Sequence, residues 1–224
     1  MNTLREGLPP LPPRLRTLPI DERGFPVPYF VAWIDGKPDH RVVDPPKIAA
    51  CVNGRRCWLC GSPLGRFLSF TIGPMCGVNR INSEPPQHRE CAEYAVRACP
   101  FMSRPHAHRR DARLPENVRD PAGEFLKRNP GVVGVWTTTS YRARRADGGS
   151  GVLFELGEPD SVSWWSEGRP ATIEEVRASV AGGLPALTAM ADIDPDPDGS
   201  RAELARCIER FEQVLERSFT GEPV

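Results

Sequence analysis

The sequence predicts an α+β protein of short antiparallel strands and a few helices, and three observations carry that expectation. β-rich runs recur between turn signals, at Tyr29–Ile34, His40–Val43, Val132–Arg142, Val152–Leu156 and Ser161–Ser166. Thr172-Ile173-Glu174-Glu175 and Ser200-Arg201-Ala202-Glu203 are capping boxes, each leading into apolar residues at helical spacing. The chain of 224 residues contains 20 Gly and 25 Pro, so its elements are short and its turns many. With 39% hydrophobic and 26% charged residues it has the composition of a packed protein, and its length suits one sizeable core or two small ones.

Taken in order, residues 1–24 are proline-rich without apolar periodicity and read as an extended arm. Within it, Pro9-Pro10-Leu11-Pro12-Pro13-Arg14 fits a PxxPxR pattern, although a leader without a dedicated partner is the preferred reading. Residues 25–105 form a cysteine-bearing unit. It opens with a hairpin around Asp35-Gly36, followed by a short helix over Lys47–Val52. Arg66–Ile81 reads as a second hairpin turning at Gly73-Pro74, and Pro85-Pro86 precedes a helix with Ala92, Ala95, Val96 and Cys99 on one face. Residues 106–119 are a basic linker. Residues 120–224 hold a short helix from Asp120-Pro121 to Asn129-Pro130-Gly131, a three-strand antiparallel meander turning at Asp147-Gly148-Gly149, and the two capped helices. Gly182-Gly183 is expected to end the first of these, with Pro185 starting another short one. Ser200 is expected to start the last, whose stripe is Leu204, Ile208, Phe211 and Leu215.

Seven Cys, an odd count in a chain without an apolar leader, favour reduced thiols or metal ligands over a disulfide framework. The strongest chemical signal is Cys57-Trp58-Leu59-Cys60-Gly61, followed by His88-Arg89-Glu90-Cys91. Two Cys separated by two residues and followed by Gly can form a knuckle with both sulfurs facing one point. His88 and Cys91, three apart in the first turn of a helix, point the same way. Knuckle, hairpin and helix in this order resemble a treble-clef zinc finger over about residues 55–100. The resemblance implies one Zn²⁺ held by Cys57, Cys60, His88 and Cys91. Four protein ligands close a tetrahedral shell and leave no position for substrate, which is the chemistry of a structural metal. Cys76, between the two pairs, remains an alternative to His88 if the hairpin folds inward. Cys51 is a poorer candidate, and Cys99 and Cys207 belong to apolar helix faces.

Some treble clefs are nucleases that place a His base on the hairpin, but Arg66–Ile81 contains no His. His40 is the one His left in a strand context, and a paired surface role suits it better than that of a base. Asp39, His40 and Glu84 are the residues an enzyme reading would use. Asp192–Gly199 resembles a calcium loop but has Ala205 where the bidentate Glu belongs, so it reads as a linker. The helix–Gly-Gly–helix at 172–190 has no base-reading side chains beyond Thr188, which excludes a helix-turn-helix. Trp136, Tyr141, Trp164 and Trp165 are expected in a core rather than stacked on bases.

The formal net charge is zero, yet from Glu155 onward 15 acids face 6 Arg, leaving −9 behind and +9 in front. There are 3 Lys against 26 Arg. The basic stretch after the finger, with Arg104, Arg109, Arg110 and Arg113, suits a phosphate backbone or the acidic rear of the same chain equally well. The leading expectation is a non-catalytic zinc-binding protein contacting a macromolecule, nucleic acid ahead of protein. A zinc-scaffolded hydrolase or nuclease, and an adaptor whose acidic rear binds a basic partner, are the alternatives. No stretch is long and apolar enough to span a membrane and no secretory signal is present, so a cytoplasmic protein is expected.

Overall fold

The computed structural model describes residues 2–104, 107–108, 114, 128–146 and 151–221. The elements are β1 (Val31–Ile34), β2 (Lys37–Val43), α1 (Pro45–Gly54), β3 (Leu68–Ile72), α2 (Pro74–Asn79), β4 (Ile81–Asn82), α3 (Arg89–Ala98), β5 (Val133–Thr138), β6 (Tyr141–Arg145), β7 (Val152–Leu156), β8 (Pro159–Ser166), β9 (Arg169–Pro170), α4 (Ile173–Asp192) and α5 (Pro197–Thr220). The class is α+β, and every described strand pair is antiparallel.

The strands form a β1-β2 ribbon, a sheet ordered β3-β5-β8-β9 and a sheet ordered β4-β7-β6. The ribbon turns at Asp35-Gly36 as expected, with positive φ at both residues. The rear strands are not a meander. Thr138 pairs with Pro159 and Tyr141 with Leu156, so β5–β6 and β7–β8 are two arms of one long hairpin broken at a corner. The corner is held by hydrogen bonds: Thr138 Oγ1 donates to the Glu158 carbonyl at 2.7 Å and Trp136 Nε1 to that of Gly157 at 3.1 Å. Gly157 is required there, because a Cβ would stand 2.3 Å from Ser140 Oγ. The expected hairpin over Arg66–Ile81 is also replaced. β3 leads into α2 and β4, and its partner is the distant β5. The predicted turn Asp147-Gly148-Gly149 and the helix starting at Asp120 lie outside the described residues.

The β3-β5-β8 sheet is covered on both faces, which is why all five β3 residues are buried. Phe70, Ile72, Trp136 and Trp164 pack with Val78 of α2, Val176 of α4 and Phe211, Val214 and Leu215 of α5. The main core thus draws on residues from Leu68 to Leu215. On the other face, Val133 and Val135 meet Ala92 and Val96 of α3. Of the four aromatics expected in the core, Trp136 and Trp164 are buried, Tyr141 packs edge-on to Phe70, and Trp165 is only partly buried on the α3 side of the sheet.

Both rear helices depart from their expected limits. The Thr172 capping box forms, but α4 continues through Gly182, Gly183 and Pro185. Gly183 lies against α2, where a Cβ would stand 2.7 Å from Met75, so tertiary contact outweighs the local stop signal. Helix α5 starts at Pro197 with Asp196 accepting from the Gly199 amide at 3.1 Å, earlier than the Ser200 box. An Asp cap followed by Pro at the first position is the stronger start. No described helix is long and apolar enough to cross a membrane.

The arm is packed rather than free. Leu15 is buried, and Leu8, Leu11 and Leu18 pack with it against Leu59 of the knuckle and Tyr94, Ala95 and Ala98 of α3. Arg14 Nε, in the PxxPxR pattern, pairs with Glu90 of the chain's own α3 at 2.9 Å.

Candidate metal centre

The knuckle is a tight turn closed by backbone hydrogen bonds. The Cys57 amide donates to the Ser62 carbonyl and the Gly61 amide to that of Cys57, each at 2.8 Å, while Arg56 and Pro63 bridge the base. Gly61 has φ +73°, and a Cβ there would stand 2.6 Å from the Tyr29 ring. Only Gly both takes the left-handed conformation cheaply and lets Tyr29 approach. The Trp58 amide donates to the Pro86 carbonyl at 3.1 Å, tying the knuckle to the residues that lead into α3.

His88 is the residue before α3 and Cys91 lies in its first turn, as the spacing predicts. The ligand atoms of Cys57, Cys60, His88 and Cys91 all lie within 4.8 Å of one another, a cluster able to hold a metal ion. His88 Nδ1 is 3.4 Å from Cys60 Sγ and 3.9 Å from Cys91 Sγ. Tetrahedral zinc with Zn–S of about 2.3 Å and Zn–N of about 2.0–2.1 Å separates sulfur from nitrogen by about 3.6 Å, between these two distances. The surroundings also suit a metal. The Pro63 carbonyl is 3.1 Å from His88 Nε2, so the Nε2–H tautomer donates to it and leaves the Nδ1 lone pair facing the sulfurs. The His88 amide donates to Cys57 Sγ at 3.4 Å, an interaction that favours thiolate.

The electrostatics have the same origin. Hydrogen bonds with Cys57 and Cys91 hold the Cys60 thiol far below its ordinary value. Hydrogen bonds to Cys57 and then Cys60 push His88 up to about 10. Without a cation, a buried group of three sulfurs and an imidazole has to share protons, and a divalent ion resolves that conflict.

The other thiols stand apart from this cluster. Cys76, the alternative to His88, lies in α2 against the main core; burial pushes it up to about 11. Cys51 is buried in α1, and burial followed by the nearby Cys57 raises it to about 12. The knuckle and helix ligands therefore come together as the resemblance implies, while the hairpin of a treble clef does not lie between them.

Of the residues an enzyme reading would use, Asp39 pairs with Arg41 at 2.6 Å. His40 Nε2 is buried and lies 3.2 Å from Asp21 Oδ2 in the arm without hydrogen-bond geometry, so it faces the arm rather than an open site. Arg104 is described and exposed. Arg109, Arg110 and Arg113 lie outside the described residues. Sequence reasoning missed the contributions of Pro63 and Tyr29, since neither carries a metal-binding side chain. No protein-family model matches the chain, and no curated protein or solved structure matches it either.

Proposed function

We propose that this is a non-catalytic zinc protein whose metal staples the knuckle to helix α3, and whose basic front contacts nucleic acid. The observation that carries the zinc reading is the closed set of four ligand atoms within 4.8 Å. Three thiolates and one imidazole are a borderline-soft donor set that suits zinc, and four protein ligands leave no open position for catalysis. The apolar cluster around them is small and joins segments far apart in sequence, so a cross-link between knuckle and helix stabilises it. The nucleic-acid reading rests on the +9 charge of residues 1–154 and on arginine as its carrier.

Native mass spectrometry of the purified full chain tests both parts. One Zn²⁺ per chain is expected, and protein purified without chelator that carries well under one excludes the metal reading. Oligonucleotide affinity is expected to fall steeply with salt. Replacing Arg109, Arg110 and Arg113 together is expected to flatten that slope by roughly three units, at about 0.9 per contact on duplex. Binding that ignores salt, or none at all, removes the nucleic-acid reading.

A further inference from the structure

Between the arm and the end of α3, the described residues line an open cleft of about 180 Å³. Arg5 and Glu6 line it from the arm, and Arg97, Ser103 and Arg104 from the end of α3 and the turn beyond. Three arginines and one glutamate therefore contribute to the lining. Acids pair with Arg14, Arg23, Arg41, Arg80, Arg89, Arg142, Arg169, Arg177, Arg201 and Arg206. Among the described residues, Arg5, Arg97 and Arg104 have no such pair, which they share with Arg16, Arg55 and Arg56; those three donate to backbone carbonyls instead.

Two of the three are held by aromatic rings instead. The Arg5 guanidinium carbon lies 5.7 Å from the Phe25 ring centre, and that of Arg97 lies 5.9 Å from that of Trp165. Stacking orients a guanidinium without neutralising it. The backbone is fixed as well. The Arg5 amide donates to the Gly24 carbonyl at 2.9 Å, and a Cβ on Gly24 would stand 2.7 Å from Arg5 N. Asn129 Nδ2 lies 2.7 Å from the Phe101 carbonyl, 3.1 Å from that of Met102 and 3.0 Å from that of Arg104, holding the turn that carries Arg104.

We propose that this cleft is a pocket for a phosphate monoester, and that the group it takes is the terminal phosphate of a nucleic-acid strand; the second half rests on the nucleic-acid reading above. The lining charge of +2 complements a monoester, which carries about −1.5 to −2 near neutral pH, where a backbone diester carries one negative charge. A volume below the roughly 300 Å³ at which pockets enclose whole ligands suits a single group whose chain continues into solvent. Arginine suits the task because its planar donors bind phosphate oxygens in pairs.

The test titrates the full, zinc-loaded chain with a 5′-phosphorylated oligonucleotide, the same strand ending in hydroxyl, and inorganic phosphate, following oligonucleotide anisotropy and, for phosphate, calorimetric heat. The phosphorylated strand is expected to bind on the order of tenfold more tightly, the effect of one charge-assisted contact. Arg97→Gln and Arg5→Gln are expected to erase that preference, and Arg206→Gln on α5 to keep it. If Arg97→Gln lowers zinc content, Arg5→Gln reads the same preference without touching α3. Equal binding of both strands, unchanged in either cleft variant, overturns the pocket while leaving the nucleic-acid reading in place. Inorganic phosphate bound in an Arg97-dependent way without oligonucleotide binding keeps the pocket, identifies free phosphate as its source and removes the nucleic-acid reading.

Discussion

At the scale of single residues, chemistry separates side chains that look alike in the sequence. Cys60 and Cys76 both lie near Gly in the same front segment, yet one joins the ligand cluster and the other packs against the main core. Cys60→Ser is expected to lose the metal and to unfold the knuckle and α3, read as zinc content and as a lowered thermal midpoint. Cys76→Ser is expected to keep a full zinc complement; loss of metal from that variant reassigns the shell. His40 offers a pH test. Burial, then the charge of Arg23, lowers its pKa, while Asp21 and Asp39 oppose the shift without reversing it. A folded value below the unfolded value of about 6.5 means that the folded state binds fewer protons. The stability it contributes is therefore complete above pH about 6.5 and is lost as pH falls towards the depressed value. His40→Gln is expected to flatten the stability profile in that window relative to the parent chain at equal zinc loading. Parallel profiles for the two proteins rule this out.

At the scale of elements, helix α3 joins the two halves of the packing. One face lies on β5 through Ala92 and Val96, and the other carries Cys91, Tyr94, Ala95 and Ala98 against knuckle and arm. The metal cluster reaches the sheet through this helix and through Gln87, beside His88, which exchanges backbone hydrogen bonds with Ser69 of β3 at 2.7 and 2.9 Å. Leu15 shows how much the arm contributes: it is 2% exposed and packs in the same cluster as Cys57 and Cys91. Leu15→Ala is expected to cost about 2–5 kcal/mol, the range for emptying a buried leucine site. Chemical denaturation measures it, and a change below about 0.5 kcal/mol shows the arm to be detachable. On the sheet side, Gly134 marks where β5 meets Trp164, since a Cβ would stand 2.7 Å from that ring. The strand carries Gly because the neighbouring indole fills the place of its side chain.

At the scale of the whole molecule, the charge division does not coincide with a division of the core. β3 lies between the two ligand pairs in sequence, yet its partner is β5 and its apolar face is covered from α4 and α5. Ending the chain after Glu155 removes β8, α4 and α5, and with them the packing on Phe70, Ile72 and Trp136. That truncated chain is expected to be insoluble or to lack a cooperative unfolding transition, even with zinc present. A soluble, cooperatively unfolding product shows that the front carries its own core. Tests of nucleic-acid binding therefore belong on the full chain with point substitutions.

The metal cluster and the first hairpin were legible in the sequence because their determinants are local. Cys57-x-x-Cys60-Gly61 sets a turn by its own backbone, His88 and Cys91 are brought together as the cap and third residue of α3, and Asp35-Gly36 specifies its hairpin through two positive φ angles. The Thr172 capping box belongs to the same class. Tertiary structure alone decided which strands pair and where the rear helices stop. β3 reads as half a local hairpin, but its partner lies more than sixty residues away, and no local signal encodes a pairing whose closure entropy is offset only by the finished core. Gly182, Gly183 and Pro185 read as a stop, and together oppose the helix by about 5 kcal/mol, about 1 for each glycine and about 3 for the proline. Yet α4 runs through them where it packs on α2, with Gly183 against Met75, and on α5. The three arginines of the cleft lie at positions 5, 97 and 104, and only the folding of the arm back onto the end of α3 makes them neighbours.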